Sequence, residues 1–311
     1  PTGAIAFTVG DAETAAGSLT VTATSDNQTL VPDANITLGG SGTSRTIDVL
    51  PGLNQTGGPA TITVTVDDGT TTTQTTFDVT LTAVNDAPVL DLDANDSGAT
   101  GNDFATTFVE GVGPVNLVDS DSVLNDVDNS GLTSISVVLT NRLDPASKES
   151  LAADTSGTSL TASWDSGTDT LTISGAGTVA DYQTVLNRVQ YDNTSQNPDL
   201  TTRTITFVAN DGTDNSLVAT TTLSLVPFND APTITAIADQ TPLEDTPTGP
   251  IAFTIDDAET TAGSLIVTAT SNDQALVPDT NITLGGSGAN RTIDILPASN
   301  QFGGPATITV T

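Results

Sequence analysis

The chain has no cysteine, no methionine and no histidine, a single tryptophan, and only six lysines and arginines among 311 residues. Without cysteine no disulfide can staple the fold, whatever the redox state of its compartment. Without histidine and cysteine no ordinary zinc or copper site can be assembled. Serine–histidine and cysteine–histidine nucleophiles and histidine acid–base pairs are unavailable too. That inventory argues against an enzyme, and no catalytic residue is assigned. No run approaches the ~20 apolar residues that span a bilayer as a helix. The shortage of cations leaves 38 acidic residues almost unopposed, for a net charge of −32. Such a surface repels phosphate, so nucleic acid is excluded as a partner. Aromatics are 4% of the residues, so valine, leucine, isoleucine and alanine must supply most of any core.

What is present points to a folded chain. Hydrophobic residues make up 36%, more than a disordered acidic tail carries. Charged residues are 14%, against an average of roughly 25%; threonine, serine, asparagine and glycine provide the remaining polarity. The carboxylates have two readings. One is a soluble, self-repelling surface. The other is a set of oxygen ligands for a hard cation such as calcium.

Residues 1–65 return as residues 247–311, with 50 of the 65 paired positions identical at a constant offset of 246. A fixed long period is the mark of a tandem array. The chain starts and stops at the same phase of that period, as a window on a longer array would. Asn85-Asp86-Ala87-Pro88 and Asn229-Asp230-Ala231-Pro232 punctuate it, 144 residues apart. They divide the chain into a short module (1–86), a long module (87–230) and a second short module (231–311).

Period-two alternation of apolar and hydroxyl residues predicts half-buried antiparallel strands. The runs 60–66 and 76–84 flank Asp67-Asp68-Gly69-Thr70, and 204–209 and 219–226 flank Asn210-Asp211-Gly212-Thr213. Asp-Gly between such runs is a hairpin signal. Further strands are expected at 19–25, 45–50, 133–140, 158–164, 169–174, 251–255 and 265–271, and a short helix within 179–189. Strands about ten residues apart suggest all-β sandwich modules. Gly39-Gly40-Ser41-Gly42 and its copy Gly285-Gly286-Ser287-Gly288 lack the lysine and following helix of a phosphate loop, and are read as hairpins. Trp164, Phe207, Tyr182 and Tyr191 are expected to anchor the long module's core, with Trp164 as a sugar-stacking platform the alternative.

The acidic residues gather at particular places. Glu244 precedes the strand 251–255, and Asp256-Asp257-Ala258-Glu259 follows it. The first copy keeps Asp11 and Glu13. In the long module Glu110 comes before Asp119, Asp121, Asp126 and Asp128, and the last hairpins carry Asp68 and Asp211. In a seven-strand sandwich the loop after the first strand and the final hairpin turn share a pole with the entering linker. Three acidic segments then meet at each junction. Calcium, which takes 6–8 oxygens, suits such a meeting.

The order glutamate, strand, Asp-rich loop, Ala-x-Asp-Gly, Asn-Asp-x-Pro resembles the cadherin-like repeats of giant bacterial surface adhesins. The segments YQTVLNRVQYDNTSQNP and RTITFVANDG are similar to the long repeats that alternate with them. This resemblance implies Ig/cadherin-like sandwiches joined end to end, with calcium at the junctions. It implies that Asn85 and Asp86 bind calcium together with Asp126, Asp128 and Asp211. At the second junction it implies Asn229 and Asp230, with Asp257 and Glu259 from below and Glu110 from above. Asp68, Asp11 and Glu13 would face a junction upstream, and Glu244 one downstream. The linkers carry fewer acidic positions than animal cadherins, which points to one ion per junction, or none, in place of three. The implied role is a stalk or fibre segment at the cell surface or in a secreted matrix. Its partners would be neighbouring modules, and other copies of the chain in a fibre. Glycans or cell surfaces would be met through domains elsewhere. A self-assembling filament subunit and a carbohydrate- or cell-binding module stay open as alternatives.

Overall fold

Alternation decides most of the chain. In the computed structural model, which describes residues 1–311, Ala60, Ile62 and Val64 of the run ATITVTV are buried while the threonines between them stay half-exposed. That is the pattern of a strand with one covered face. The first short segment forms β1 (Ile5–Thr8), β2 (Thr20–Ser25), β3 (Ile36–Ser41), β4 (Ser44–Val49), β5 (Gly57–Asp67) and β6 (Thr72–Leu81). The middle segment forms β7 (Val89–Asp91), β8 (Phe104–Val109), β9 (Val115–Asn116), β10 (Val123–Asn125), β11 (Gly131–Leu139), β12 (Glu149–Ala153), β13 (Thr161–Asp165) and β14 (Thr170–Thr178). Helix α1 (Val179–Leu186), β15 (Val189–Asn193), β16 (Arg203–Asn210) and β17 (Ala219–Val226) complete it. The last segment forms β18 (Thr233–Ile234), β19 (Ile251–Asp256), β20 (Ala269–Ser271), β21 (Ile282–Ser287), β22 (Asn290–Ile295) and β23 (Ile308–Val310). The fold is all-β, with one short helix.

Two compact units result: residues 1–89 with 124–133 and 209–217, and residues 90–123 with 134–208 and 218–311. In the first unit β1, β4 and β3 form one antiparallel sheet, and β2, β5 and β6 another. Ile47 and Val49 of one sheet pack with Ala60, Ile62, Val64 and Val79 of the other, joined by Leu30 and Val31. This is a β-sandwich. Burying each such valine, leucine or isoleucine is worth ~1.5–3 kcal/mol. Strand β6 stops at Leu81, which pairs with Gly57 at the start of β5. Thr82–Val84, expected to continue the strand, therefore have no ladder to join.

In the second unit six strands form a sheet in the order β13-β14-β11-β16-β17-β8, and β12, β15 and β9 form a second sheet. Strand β8 runs parallel to β17, from Phe104 opposite Thr221 to Val109 opposite Val226. Tyr182, Tyr191 and Phe207 are fully buried. Phe108 meets Tyr191 edge-on at 5.3 Å between ring centroids. Trp164 departs from the expected core role: it lies on β13, at the edge of the six-stranded sheet, and is half-buried. Helix α1 starts at Thr178, whose hydroxyl accepts from Asp181 N while the Asp181 carboxylate accepts from Thr178 N. This reciprocal cap satisfies two otherwise orphaned donors.

The C-terminal part of this unit pairs β18, β19, β22 and β21 in one sheet and β20 with β23 in another, around Phe253, Ile255 and Ile293. The strand expected over 265–271 is confined to Ala269–Ser271, the residues that pair with Val310, Thr309 and Ile308 of β23. In the first copy GGPATITVT lies in an 11-residue strand flanked by β2 and β6, and in the second Ile308–Val310 pair with β20. No helix is long and apolar enough to cross a membrane.

One buried polar group holds the second unit's β12, β15 and β16 in register. Arg203 is fully buried, and its Nε donates to Glu149 Oε1 at 2.5 Å while a terminal nitrogen donates to Asp144 Oδ2 at 2.9 Å. The Tyr191 hydroxyl donates to the same Glu149 oxygen at 2.8 Å. The other Glu149 oxygen accepts from Leu143 N and Asp144 N. Burial, and then the Glu149 charge, push the Tyr191 hydroxyl well above its ordinary pKa, so it stays a neutral donor. Removing one partner of a buried ion pair strands the other in a dry interior. Glu149→Leu is expected to destabilise this unit by about 3–5 kcal/mol in urea unfolding, with much of the loss recovered in Glu149→Leu/Arg203→Met. A double variant no more stable than the single one would contradict a paired role.

Candidate metal centre

Parallel pairing of β8 with β17 brings the ends of both strands to the same edge. Glu110, the first residue past β8, donates its N–H to Val226 O, the last residue of β17. Its side chain then meets the chain leaving β17: Glu110 Oε2 accepts from Phe228 N at 3.0 Å. Two residues later Asp230 N donates to Glu259 Oε2 at 3.1 Å. The pairing of Thr233 on β18 with Asp256 on β19 sets that encounter, because it lays the linker beside the loop that follows β19. Within the loop Asp257 Oδ1 accepts from Glu259 N and Thr260 N, at 3.2 and 2.6 Å. Asp257 thus shapes the turn, and Glu259 is the residue the turn presents to the linker.

Glu110, Asp230 and Glu259 each offer a carboxylate oxygen within 4.8 Å of the others. Glu110 is only 2% exposed. Glu110 Oε1, Asp230 Oδ2 and Glu259 Oε1 are all buried, and none has a hydrogen-bond donor. Three like charges at this separation repel by roughly 3 kcal/mol per pair even at a surface-like dielectric. Buried acceptors are normally satisfied. A cation between them would give each of these oxygens its missing partner. The donor set is oxygen only, which fits calcium or magnesium and no softer metal.

The first linker is closed differently. Asp86 N donates to Asp128 Oδ2 at 3.0 Å, and Asp128 N and Asn129 N donate to Asp126 Oδ1, the same turn device as Asp257 and Glu259. The Asn85 amide donates to Asp211 Oδ2 at 2.8 Å and to Asp214 Oδ2 at 2.9 Å, and its oxygen accepts from Asn129 Nδ2 at 3.1 Å. Asn85, Asp86, Asp126, Asp128 and Asp211 therefore lie together, joined by hydrogen bonds. Asn129 and Asp214 join them and were missed in the sequence, although Asn129 adjoins Asp128 and Asp214 lies three residues past Asp211.

The other assigned residues make no side-chain hydrogen bond to the carboxylates of these two groups. Asn229 is exposed, and its amide donates to Asp230 O. Asp11 Oδ1 caps its own turn through Glu13 N and Thr14 N, and Glu13 is exposed. Asp68 accepts from Thr70 N and Thr71 N in the β5–β6 hairpin. Glu244 is exposed and belongs to no cluster of three carboxylates. A further triad lies within the second unit. Asp93, Asp119 and Asp121 have oxygens within 4.8 Å of one another, and Asp93 is saturated by the N–H groups of Ser97, Gly98 and Ala99.

No protein-family model and no curated protein sequence matches the chain. Solved structures do. Domains 4–9 of the surface layer protein SbsC align at 15% identity and a TM-score of 0.23, over 96% of this chain and 38% of that one. Mouse protocadherin-24 EC1-3 aligns at 12% identity and 0.34, over 96% and 81%. An endo-fucoidan hydrolase of glycoside hydrolase family 107 aligns at 13% and 0.24, over 96% and 41%. The chain thus spans well under half of the surface layer and hydrolase chains. At such identities and scores these likenesses say nothing of what the chain does.

The Asp211 carboxyl has its pKa lowered, first by the N–H of Asp214 and next by the Asn85 amide. A carboxyl depressed in the folded state contributes stability that is full above its unfolded value and lost as pH falls through the folded one. Asn85→Ala is therefore expected to raise the pH at which Asp211 titrates, followed by carboxylate NMR. An unchanged titration would remove the Asn85 bond from the account.

Proposed function

We propose that the chain is a structural segment of a secreted or cell-surface bacterial repeat protein, an adhesin stalk or extracellular fibre. In this reading calcium stiffens its module boundaries. The observation that carries it is the set of three buried, donorless oxygens on Glu110, Asp230 and Glu259. They come from the end of one module, the linker and the first loop of the next. An ion held by all three ties those segments together, and its contribution is mechanical: no bond is made or broken. Calcium is favoured over magnesium because the three donors lie on separate segments, and calcium tolerates irregular geometry where magnesium demands near-ideal octahedra. The same reading extends to Asn85, Asp86, Asp126, Asp128 and Asp211 as a second boundary, fastened by hydrogen bonds and open to an ion. Asp257 serves as the turn-maker for Glu259, and neighbouring modules are the immediate partners.

Calcium titration followed by calorimetry is expected to show binding with Kd in the ~10⁻⁴–10⁻³ M range of extracellular modules. Binding to the folded state alone adds about 2.7 kcal/mol at a hundredfold excess over Kd, so the melting temperature should rise with calcium and fall with chelator. Glu110→Gln keeps the size of the side chain and removes its charge. It is expected to abolish most of that shift while the modules remain folded by circular dichroism. A melting temperature indifferent to calcium in the unaltered chain would sink the calcium reading.

A further inference from the structure

Two of the six cationic residues occupy equivalent places in the repeat. Arg45 sits on β4 between Phe7 of β1 and Gly40 of β3, and Arg291 sits on β22 between Phe253 of β19 and Gly286 of β21. Neither forms an ion pair. Each spends one terminal nitrogen on two backbone carbonyls of the loop that follows β1 or β19, respectively. For Arg291 these are Ala262 O at 2.9 Å and Leu265 O at 3.2 Å. For Arg45 they are Ala16 O at 3.1 Å and Leu19 O at 3.4 Å. The glycine opposite lets the two strand backbones of the hairpin approach closely. At Gly286, φ is +86° and a Cβ would lie 2.3 Å from Asn290 O and 2.8 Å from the Arg291 Cα; Gly40 is crowded in the same way.

The loop so held is the one that carries Glu259. Between the end of β19 at Asp256 and the start of β20 at Ala269 no residue belongs to a strand. Local bonds shape its turns: Asp257 to Glu259 and Thr260, and Thr261 to Ser264. Bonds to the rest of the fold are few. Beyond the Glu259 contact with the linker, they are the two from Arg291, one from Asn197, whose amide donates to Ala258 O at 2.8 Å, and at the far end a reciprocal backbone pair between Thr268 and Thr311. Glu259 is thus flanked by a fixed carbonyl at Ala258 and a clamped stretch from Ala262 to Leu265. We infer that Arg291 and Asn197 are positioning residues for the cation site. They hold the 257–265 loop so that Glu259 Oε1 stays beside Glu110 and Asp230, and neither is itself a ligand.

The inference rests on the calcium reading of that cluster, and the experiment separates the two. Calcium alone is titrated into the full chain and into Arg291→Met, Asn197→Ala and Arg45→Met. Residues that orient a metal ligand typically change affinity 10–100-fold when removed, so Arg291→Met is expected to weaken calcium binding about tenfold and Asn197→Ala in the same direction. Arg45→Met is the matched lesion: it disturbs an equivalent sheet and loop and should leave this calcium affinity unchanged. In a Glu259→Gln background Arg291→Met should cause no further loss, because the residue acts through Glu259. A general structural role would instead lower affinity in both backgrounds, and that result would overturn the inference. So would an unchanged affinity in Arg291→Met, or an equal loss in Arg45→Met. A second measurement needs no metal. Amide exchange at Thr260 and Ser264 should quicken in Arg291→Met while β19 and β22 keep their protection, and unchanged exchange would likewise overturn the positioning role. A chain that binds no calcium sinks the calcium reading alone, and amide exchange still decides whether the loop is clamped.

Discussion

Each linker turns on a single backbone N–H. Asp86 N donates to Asp128, and Asp230 N donates to Glu259. In both cases the accepting carboxylate belongs to a loop whose shape is set by an aspartate two residues earlier, Asp126 or Asp257. Proline two residues after the donor fixes its own φ, and the alanine between is pushed toward extended backbone. The linker therefore cannot curl away from the loop once the bond forms. The first linker leads into a longer segment than the second, yet the device is the same. It asks only for an Asp-x-acid turn and an Asn-Asp-Ala-Pro linker, both local in sequence.

The two linkers differ in what lies opposite that bond. At the first, the Asn85 amide stands between Asp211 and Asp214 and gives each a donor. An amide is well suited to such a place, since it can donate twice and still accept from Asn129. At the second, Asn229 turns to Asp230 O, and the position facing the linker belongs to Glu110. An ionised carboxylate only accepts, so three acceptors face one another with no donor among them. The first arrangement is closed by hydrogen bonds. The second is short of positive charge.

The acidic loops, the linkers and the hairpins were legible because each is written in consecutive residues and repeated at a fixed offset. The role of Glu110 was legible only through the resemblance, since its meeting with the linker depends on β8 pairing parallel to β17. Asn129, Asp214, Asn197 and Arg291 went unassigned for the same reason in stronger form: each acts on a residue far away in the chain, or through a backbone carbonyl that no side-chain pattern marks. Trp164 was misplaced because its size suggests a core, whereas its burial follows from the edge position of β13.

The chain's own cations cannot make up the missing charge. Arg142 pairs with Asp169, Arg188 with Asp154, and Arg203 with Asp144 and Glu149. Arg45 and Arg291 are committed to backbone carbonyls. Lys148 is exposed and forms no ion pair. A basic residue at any one of Glu110, Asp230 or Glu259 would have closed the site within the protein, as Arg203 does for Glu149. Here all three positions are acidic, and Arg291 donates to carbonyls of the Glu259 loop and pairs with none of the carboxylates. In the calcium reading a small divalent ion from solution brings the missing charge in the least space, and the firmness of this boundary then follows the ionic composition of the surroundings.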